Sequence, residues 1–206
     1  MELEGRAALV TGASRGIGRA ACEALARAGC AVVLTARDEA TGEAAAATIR
    51  DGGGKALFLR QDVGDPKSWS DIVSRTESFA GGLDVFVANA GVSFAKSSVD
   101  MSLEEFRGLC AVSLGGVFFG LQHAVAAIRR RGRGGSVILM SSIMGKIAAP
   151  GYTHYNAAKS GVRLMAKAAA LELGPEKIRD NSIHPGLIST DMTAGFPKAA
   201  MESLIP

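Results

Sequence analysis

The sequence predicts an α/β fold built on a doubly wound parallel sheet, and three features carry that prediction. Short apolar runs alternate with longer helical patterns from one end of the chain to the other. All but the last of these runs are apolar enough to be buried on both faces, as parallel strands under helices are. A cluster of glycines, TGASRGIGR at 11–19, falls where the first run hands over to a helix. Strict alternation implies parallel strands joined by right-handed crossovers, with helices on both sides of one sheet. Six strands and five crossovers fit the complete order 3-2-1-4-5-6.

In chain order the strands are AALV at 7–10, AVVLT at 31–35, ALFL at 56–59, DVFVA at 84–88, SVILM at 136–140 and the more polar IRDNSI at 178–183. Between them, helices are predicted over 16–28, 39–51, 66–80, 103–130 and 153–173. Pro66 suits a first helical turn, where its missing N–H is no loss, and Ser102 followed by Glu105 makes a capping box. RRRGRGG at 129–135 reads as a solvated helix end, its cations facing the negative pole of the dipole and its glycines terminating the helix. No repeat, proline-rich linker or low-complexity tract interrupts the chain, so 1–206 reads as a single domain.

Composition narrows the function classes. Hydrophobic residues make up 48% of the 206 and charged residues 21%, which excludes a mainly disordered chain. With 23 basic and 20 acidic residues the net charge is +3, too balanced to argue for nucleic acid or a membrane surface as partner. The arginine cluster has no neighbouring aromatics on which bases could stack. Cys22, Cys30 and Cys110 show no CxxC spacing and read as buried apolar fillers. His123, His154 and His184 lack a metal-ligand spacing, so no metal is expected. MELEGRAALV lacks the basic end and long apolar core of a secretory signal, and no apolar window is read as approaching the roughly 20 residues of a membrane span. A reducing, cytoplasmic setting is the expectation.

The glycine loop explains itself as chemistry. In a strand-to-helix turn, Gly12 permits the tight reversal, Gly16 lets backbone approach a ligand and Gly18 lets the helix pack closely on the strand. Amides then converge at a positive helix end, a geometry suited to a pyrophosphate. TGASRGIG at 11–18, DV at 62–63, NAG at 89–91, Ser142, YNAAK at 155–159 and PGLIST at 185–190 occur in the order and at the separations of the short-chain dehydrogenase/reductase family. The chain resembles that family over essentially its whole length, and within it the standard-length branch of 3-oxoacyl-carrier-protein reductases and hydroxysteroid or sugar-alcohol dehydrogenases.

The resemblance implies a Rossmann-like, NAD(P)-binding domain with a substrate loop at about 191–206. It implies that Gly12, Ser14, Arg15, Gly16, Ile17 and Gly18 line the cofactor phosphates, that Asp62 and Val63 hold the adenine, and that Asn89, Ala90 and Gly91 lie beside the ribose. Pro185, Gly186, Ile188 and Thr190 would line the nicotinamide end. NAD-binding relatives usually place a carboxylate at the end of the second strand, where this sequence has Ala36 and then Arg37. Arg15 and Arg37 offer guanidinium forks to a 2′-phosphate, so NADPH is the expected cofactor.

Tyr155 and Lys159 stand four apart on a helix and share a face. Moving a phenol from its ordinary value near 10 to neutrality takes roughly 3 pH units, about 4 kcal/mol, which a nearby ammonium and an oxidised nicotinamide can supply. By resemblance Ser142 hydrogen-bonds the substrate oxygen, Tyr155 transfers the proton, and Lys159 also binds ribose hydroxyls. The expected reaction is hydride transfer between NADP(H) and a carbonyl or secondary alcohol. A dinucleotide-binding module without turnover, acting as sensor or assembly subunit, is the alternative. Tyr152 is a rival tyrosine, but the residue four positions on is Asn156, which carries no charge. Met144 and Met192 are the methionines expected at the substrate.

Two departures from the family pattern stand out. Ser113 occupies the place of an asparagine that helps hold a water behind the active-site lysine, so Ser113 is grouped with the catalytic residues. Relatives of this branch usually continue for about forty residues past 206, adding a helix and a seventh strand that this sequence apparently lacks. Asp180 stands where relatives usually have an aliphatic residue, and a lone buried carboxylate is costly. A homo-oligomer is expected, with dimer contacts through the helices 103–130 and 153–173.

Overall fold

Alternation along the strands decides which side chains meet. In the computed structural model, which describes residues 2–194, β1 (Ala7–Thr11), β2 (Ala31–Ala36), β3 (Ala56–Arg60), β4 (Val85–Ala88), β5 (Gly135–Met140) and β6 (Ile178–Ile183) form one sheet. The strands are parallel and lie in the order β3-β2-β1-β4-β5-β6, as the sequence predicts.

Leu9, Val33, Phe86, Val137 and Leu139 point to one face, where they pack with Trp69, Ile72, Val117, Ile128 and Val162. These last come from α3 (Ser68–Ala80), α5 (Gly116–Arg131) and α6 (Thr153–Leu173). Their strand neighbours Ala8, Val10, Val32, Leu34 and Val87 point the other way, into a core closed by Cys22, Ala45 and Ile49 of α1 (Gly16–Arg27) and α2 (Glu39–Asp51). Each buried Val, Leu or Phe contributes about 1.5–3 kcal/mol. A one-residue slip would swap both sets at once, so the register is firmly held.

Several local boundaries differ from expectation. The helix expected from 66 starts at Ser68, and Pro66 lies in a preceding turn. Asp65 makes that turn, its carboxylate accepting from Lys67 N (3.0 Å) and its carbonyl from Ser68 N (3.2 Å). The helix expected over 103–130 is α4 (Leu103–Cys110), a π-helical turn Ala111–Gly115 and then α5. It opens on the expected capping box, with Glu105 N donating to Ser102 Oγ and Ser102 N to Glu105 Oε2. After the turn, Gly116 lies so close to Val63 that a Cβ there would sit 2.9 Å from the Val63 carbonyl oxygen.

The membrane expectation needs correction on the sequence itself. Gly108 to Ile128 contains no charged residue, and Leu103–Arg131 reaches a mean hydropathy of 1.6, long and apolar enough to cross a bilayer by composition. In the fold Leu109, Val117, Val125 and Ile128 from this stretch are buried in the core, which explains its apolarity. Cys22 and Cys30 are buried, as expected, and burial pushes the Cys30 thiol up to about 11; Cys110 is only half-buried.

The arginine cluster ends α5 as expected, with Gly132 at φ +76°, and each of its cations has an acidic partner. Arg129 pairs with Glu176, Arg130 with Glu77, and Arg131 and Arg133 with Asp84. Across β5 from Asp84, Asp180 on β6 is 6% exposed, and neither carboxylate oxygen has a hydrogen-bond partner.

Candidate active site

The glycine loop is built by two strand ends stitched together. Thr11, last residue of β1, accepts at Oγ1 from Asn89 N (3.0 Å) and Ala90 N (3.1 Å), just past β4. Asn89 Nδ2 donates back to the carbonyls of Thr11 (2.9 Å) and Gly12 (3.0 Å). Gly12 turns there with φ +62°, and a Cβ on it would stand 2.7 Å from Ala90 Cα. Only glycine fits both the conformation and the space. Gly18 is set back from the cleft: a Cβ there would collide with Asn89 Nδ2 and the Gly12 carbonyl, so its role is close packing of α1, not ligand contact.

A cleft of about 640 Å³ opens over the carboxyl ends of the strands. Gly12, Ser14, Arg15, Gly16 and Ile17 line one end of it, together with Arg37, Asp62 and Val63. Asn89, Ala90 and Gly91 form the middle, and Ser142, Tyr155, Lys159, Pro185, Gly186, Ile188 and Thr190 the other end. All the expected cofactor residues except Gly18 therefore share one cavity. The Asn89 Nδ2 group is committed to holding the loop. The expected substrate loop falls mostly outside the described residues; within 191–194, Asp191 pairs with Arg15 at 3.3 Å across the mouth, and Met192 lines the cleft.

Adjacent serines after β5 divide the work at the other wall. Ser141 is buried and donates from Oγ to the Lys159 carbonyl (2.8 Å), while Ser142 faces the cleft with its hydroxyl beside that of Tyr155, where it favours the phenolate. Extended residues alternate in direction, so one of a serine pair must point each way. Lys159 is 3% exposed; its Nζ donates to the Met140 carbonyl (2.8 Å) and lies 5.8 Å from the centre of the Tyr155 ring. Burial pulls the Lys159 ammonium down to about 8.

Burial also raises the Tyr155 phenol above its ordinary value, and the Ser142 hydrogen bond only partly opposes it. The expected lowering by the neighbouring ammonium is not achieved by these side chains alone, because desolvation of the phenolate is the larger effect.

Ser113 does not line the cleft itself. It is fully buried in the π-helical turn, accepting from Val92 N (3.1 Å) and donating to the Val92 carbonyl (3.2 Å). With donor and acceptor both engaged, its hydroxyl clamps the 89–92 segment. A side chain at Gly91 would meet Lys159 Nζ at 3.4 Å and Ser113 Oγ at 3.7 Å, so Ser113 stands behind the lysine.

The geometry can now be set beside known proteins. A family model described as short chain dehydrogenase matches residues 6–200. The chain belongs to the short-chain dehydrogenase family. This short-chain dehydrogenase is 39% identical over 193 residues to the NADP-dependent (R)-specific alcohol dehydrogenase of Lentilactobacillus kefiri, covering 92% of its own length and 76% of the relative's. It is 40% identical over 185 residues to the cyclopentanol dehydrogenase of Comamonas testosteroni, covering 90% and 74%. With the 3-alpha-(or 20-beta)-hydroxysteroid dehydrogenase of Mycobacterium tuberculosis the identity is 37% over 203 residues, covering 98% and 76%. A crystal structure of a short-chain type dehydrogenase/reductase from Mycobacterium marinum superimposes with a TM-score of 0.92 at 37% identity, over 98% of this chain and 80% of that one.

Several residues of the dehydrogenase's site were not singled out in the sequence. Thr11 and Ser141 act through hydrogen bonds to distant backbone, and no local pattern announces them. Asp38 could have been found: it caps α2, accepting from Thr41 N (2.8 Å) and Thr41 Oγ1 (2.6 Å), and D-x-x-T before a helical run is a capping signal. His154 Nε2 meets the Phe94 carbonyl at 3.0 Å and holds the loop entering the cleft. Among the described residues no three His, Cys, Asp or Glu side chains gather as metal ligands.

Proposed function

We propose that this short-chain dehydrogenase reduces ketones with NADPH and, in reverse, oxidises secondary alcohols. The observation that carries the reading is the Ser142–Tyr155 hydroxyl pair, with the Lys159 ammonium beside it, on the wall of a cleft whose floor is the glycine loop. The cleft fits the dinucleotide: it encloses about 640 Å³ over the glycine loop, and Arg15 and Arg37 stand at one end. Bound NADPH supplies the hydride to the carbonyl carbon.

The chain's own residues manage the oxygen and its proton. Ser142 Oγ holds the substrate oxygen, and Tyr155 donates the proton that converts it to a hydroxyl. Burial keeps the phenol in its protonated form, which a donor needs. Lys159 spends one N–H on Met140 O and keeps two for ribose hydroxyls, and its positive charge stabilises the phenolate left behind. Ser113 steadies Gly91 and, through it, the space beside Lys159 Nζ.

NADPH preference is supported by Ala36 in place of a carboxylate and by the two arginines. Asp38, the acid that follows Arg37 in the chain, is drawn into the α2 cap by its hydrogen bonds with Thr41, which hold its carboxyl below the usual range. The NADP dependence in the name of the Lentilactobacillus relative agrees with this. On the substrate side, Val92, Ile143, Met144, Leu187 and Met192 make an apolar wall suited to an uncharged ketone. Phe106, Phe118, Leu164 and Leu171 lie exposed on α4, α5 and α6, a surface suited to a second copy of the chain. The setting in this reading is cytoplasmic.

The test is oxidation of NADPH in the presence of a cyclic ketone. The wild-type chain turns over and prefers NADPH to NADH, and Tyr155→Phe loses about 10³-fold or more in kcat while binding NADPH unchanged. Retained turnover in Tyr155→Phe overturns the proton-donor assignment, and equal efficiency with NADH overturns the cofactor preference.

A further inference from the structure

Three hydrogen bonds tie the exit of β6 to the exit of β5, and they converge on Ser142. Two are between backbones: Ser141 N to the Ile183 carbonyl (2.8 Å) and Ile143 N to the Pro185 carbonyl (2.9 Å). The third is made by a side chain: His184 Nδ1 meets the Ser142 carbonyl at 3.1 Å, and its Nε2 lies 3.0 Å from Ser182 Oγ. A carbonyl can only accept, so Nδ1 carries the hydrogen. In the neutral ring Nε2 is then the acceptor, and the Ser182 hydroxyl, donating to it, fixes that tautomer. An imidazolium would still donate from Nδ1, so the tie does not depend on protonation.

Ser142 is thereby held at every polar atom that faces this junction. Its carbonyl takes both His184 Nδ1 and Gly145 N (2.9 Å), using both lone pairs, while its Oγ accepts from Met144 N (3.1 Å) and lies beside the Tyr155 hydroxyl. His184 itself does not line the cleft, but the residues that follow it, Pro185, Gly186 and Ile188, do.

We propose that His184 is a positioning residue for the reaction: its ring locks the Ser142 peptide, and with it the Ser142–Tyr155 hydroxyl pair, to the 185–190 wall of the cleft. One wall handles the substrate oxygen and the other sets the nicotinamide end, so the ring fixes the distance between proton transfer and hydride transfer. Errors near 1 Å in such a distance cost up to about 10²-fold in rate. The inference rests on the ketone-reductase reading given above.

The experiment compares wild type, Tyr155→Phe, His184→Leu and His184→Asn in ketone reduction, with kcat expressed per NADPH-binding site and with the primary deuterium isotope effect measured using 4-deuterated NADPH. In His184→Leu, kcat falls on the order of tenfold and the isotope effect rises, because hydride transfer from a misaligned pair becomes rate-limiting, while NADPH affinity stays within about twofold. His184→Asn, whose amide can donate to the same carbonyl, recovers most of the loss. A His184→Leu enzyme with wild-type kcat per site and wild-type isotope effect overturns the proposal even if it melts earlier, as does a folded His184→Asn that is as impaired as His184→Leu. Should His184→Leu fail to fold, Ser182→Ala carries the test, since it keeps the ring but frees its tautomer: a raised isotope effect supports the proposal and an unchanged one overturns it. Turnover by wild type and its loss in Tyr155→Phe show independently that the reductase reading stands; if wild type reduces no ketone, that reading fails and the role of His184 falls with it.

Discussion

Asp84 and Asp180 are buried in the same sheet, one just before the interior strand β4 and one within β6, the last strand in the order, and they are solved in opposite ways. Asp84 is 2% exposed and has Arg6 at 2.9 Å, Arg133 at 2.6 Å, Arg131 at 3.1 Å and the Ala7 amide at 2.9 Å. Burial pushes its carboxyl up, but the hydrogen bonds from Arg133, Arg6 and Ala7 N more than reverse that and hold it below the ordinary carboxylate value. Asp180 is 6% exposed with no partner on either oxygen, and burial pushes it up to about 7. Nearly equal burial thus goes with opposite shifts, because what faces a charge, more than how deep it lies, decides which form is favoured. Lys159 is the intermediate case: buried, given one carbonyl, and left open to the cleft where the proposed chemistry needs it.

The largest expected effect comes from breaking the satisfied case. Asp84→Ala leaves three guanidiniums and an amide without their acceptor, and urea denaturation should show a loss of about 3–5 kcal/mol. Next is the unsatisfied case: Asp180→Val fills the same space with an aliphatic side chain matching Val137, its partner in register on β5, and gains about 2 kcal/mol at pH 8. The gain shrinks as pH falls below about 7 and is smallest below about pH 4, where the carboxyl is protonated in the unfolded chain as well.

The pH dependence of the two aspartates runs in opposite directions. For Asp180 the folded value is above the ordinary one near 3.9, so its contribution is fully present below about pH 4 and is lost as pH rises through about 7. For Asp84 the folded value is depressed, so its contribution is present above about pH 4 and is lost as pH falls through the folded value. Wild type should therefore melt higher at pH 5.5 than at pH 8, and Asp180→Val should flatten that slope. A wild-type melting temperature that rises between pH 5.5 and 8 would contradict the account of Asp180.

The smallest effect concerns Lys159. Its ammonium is pulled down to about 8, so ketone reduction should decline as pH rises through that value, by less than tenfold per pH unit. A flat rate profile between pH 7 and 9 would mean that the charge of Lys159 is not used.

Legibility in the sequence followed the range of the interaction. Strand order, the glycine loop and the Tyr155–Lys159 spacing were readable because each is a local period or a fixed offset along the chain. The direction of the Ser142 side chain was not, since Ser141 and Ser142 are chemically equal and only the strand's pleat tells them apart. The partner of Ser113 was hidden for a similar reason: its place behind the lysine follows from the resemblance, but only the π-helical turn shows that its hydroxyl goes to Val92. The apolar stretch of α4 and α5 shows the reverse failure, because composition alone cannot distinguish a core helix from a spanning one. Asp180 stood out in the sequence as a misfit on a strand, yet its lack of a partner depended on which side chains α6 and β5 turned toward it.

By itself the sequence determined the doubly wound sheet, the class of ligand the glycine loop suits and the side chains that can move a proton, because periodicity and spacing operate over a few residues. The tertiary structure alone decided that Ser142 and Tyr155 meet, that His184 joins β6 to the serine, and that Asp84 is matched by arginines while Asp180 is not. Those outcomes turn on groups tens of residues apart approaching within 3 Å, and electrostatic and hydrogen-bond energies change too steeply over that distance to be read from a chain whose folding has not yet set it.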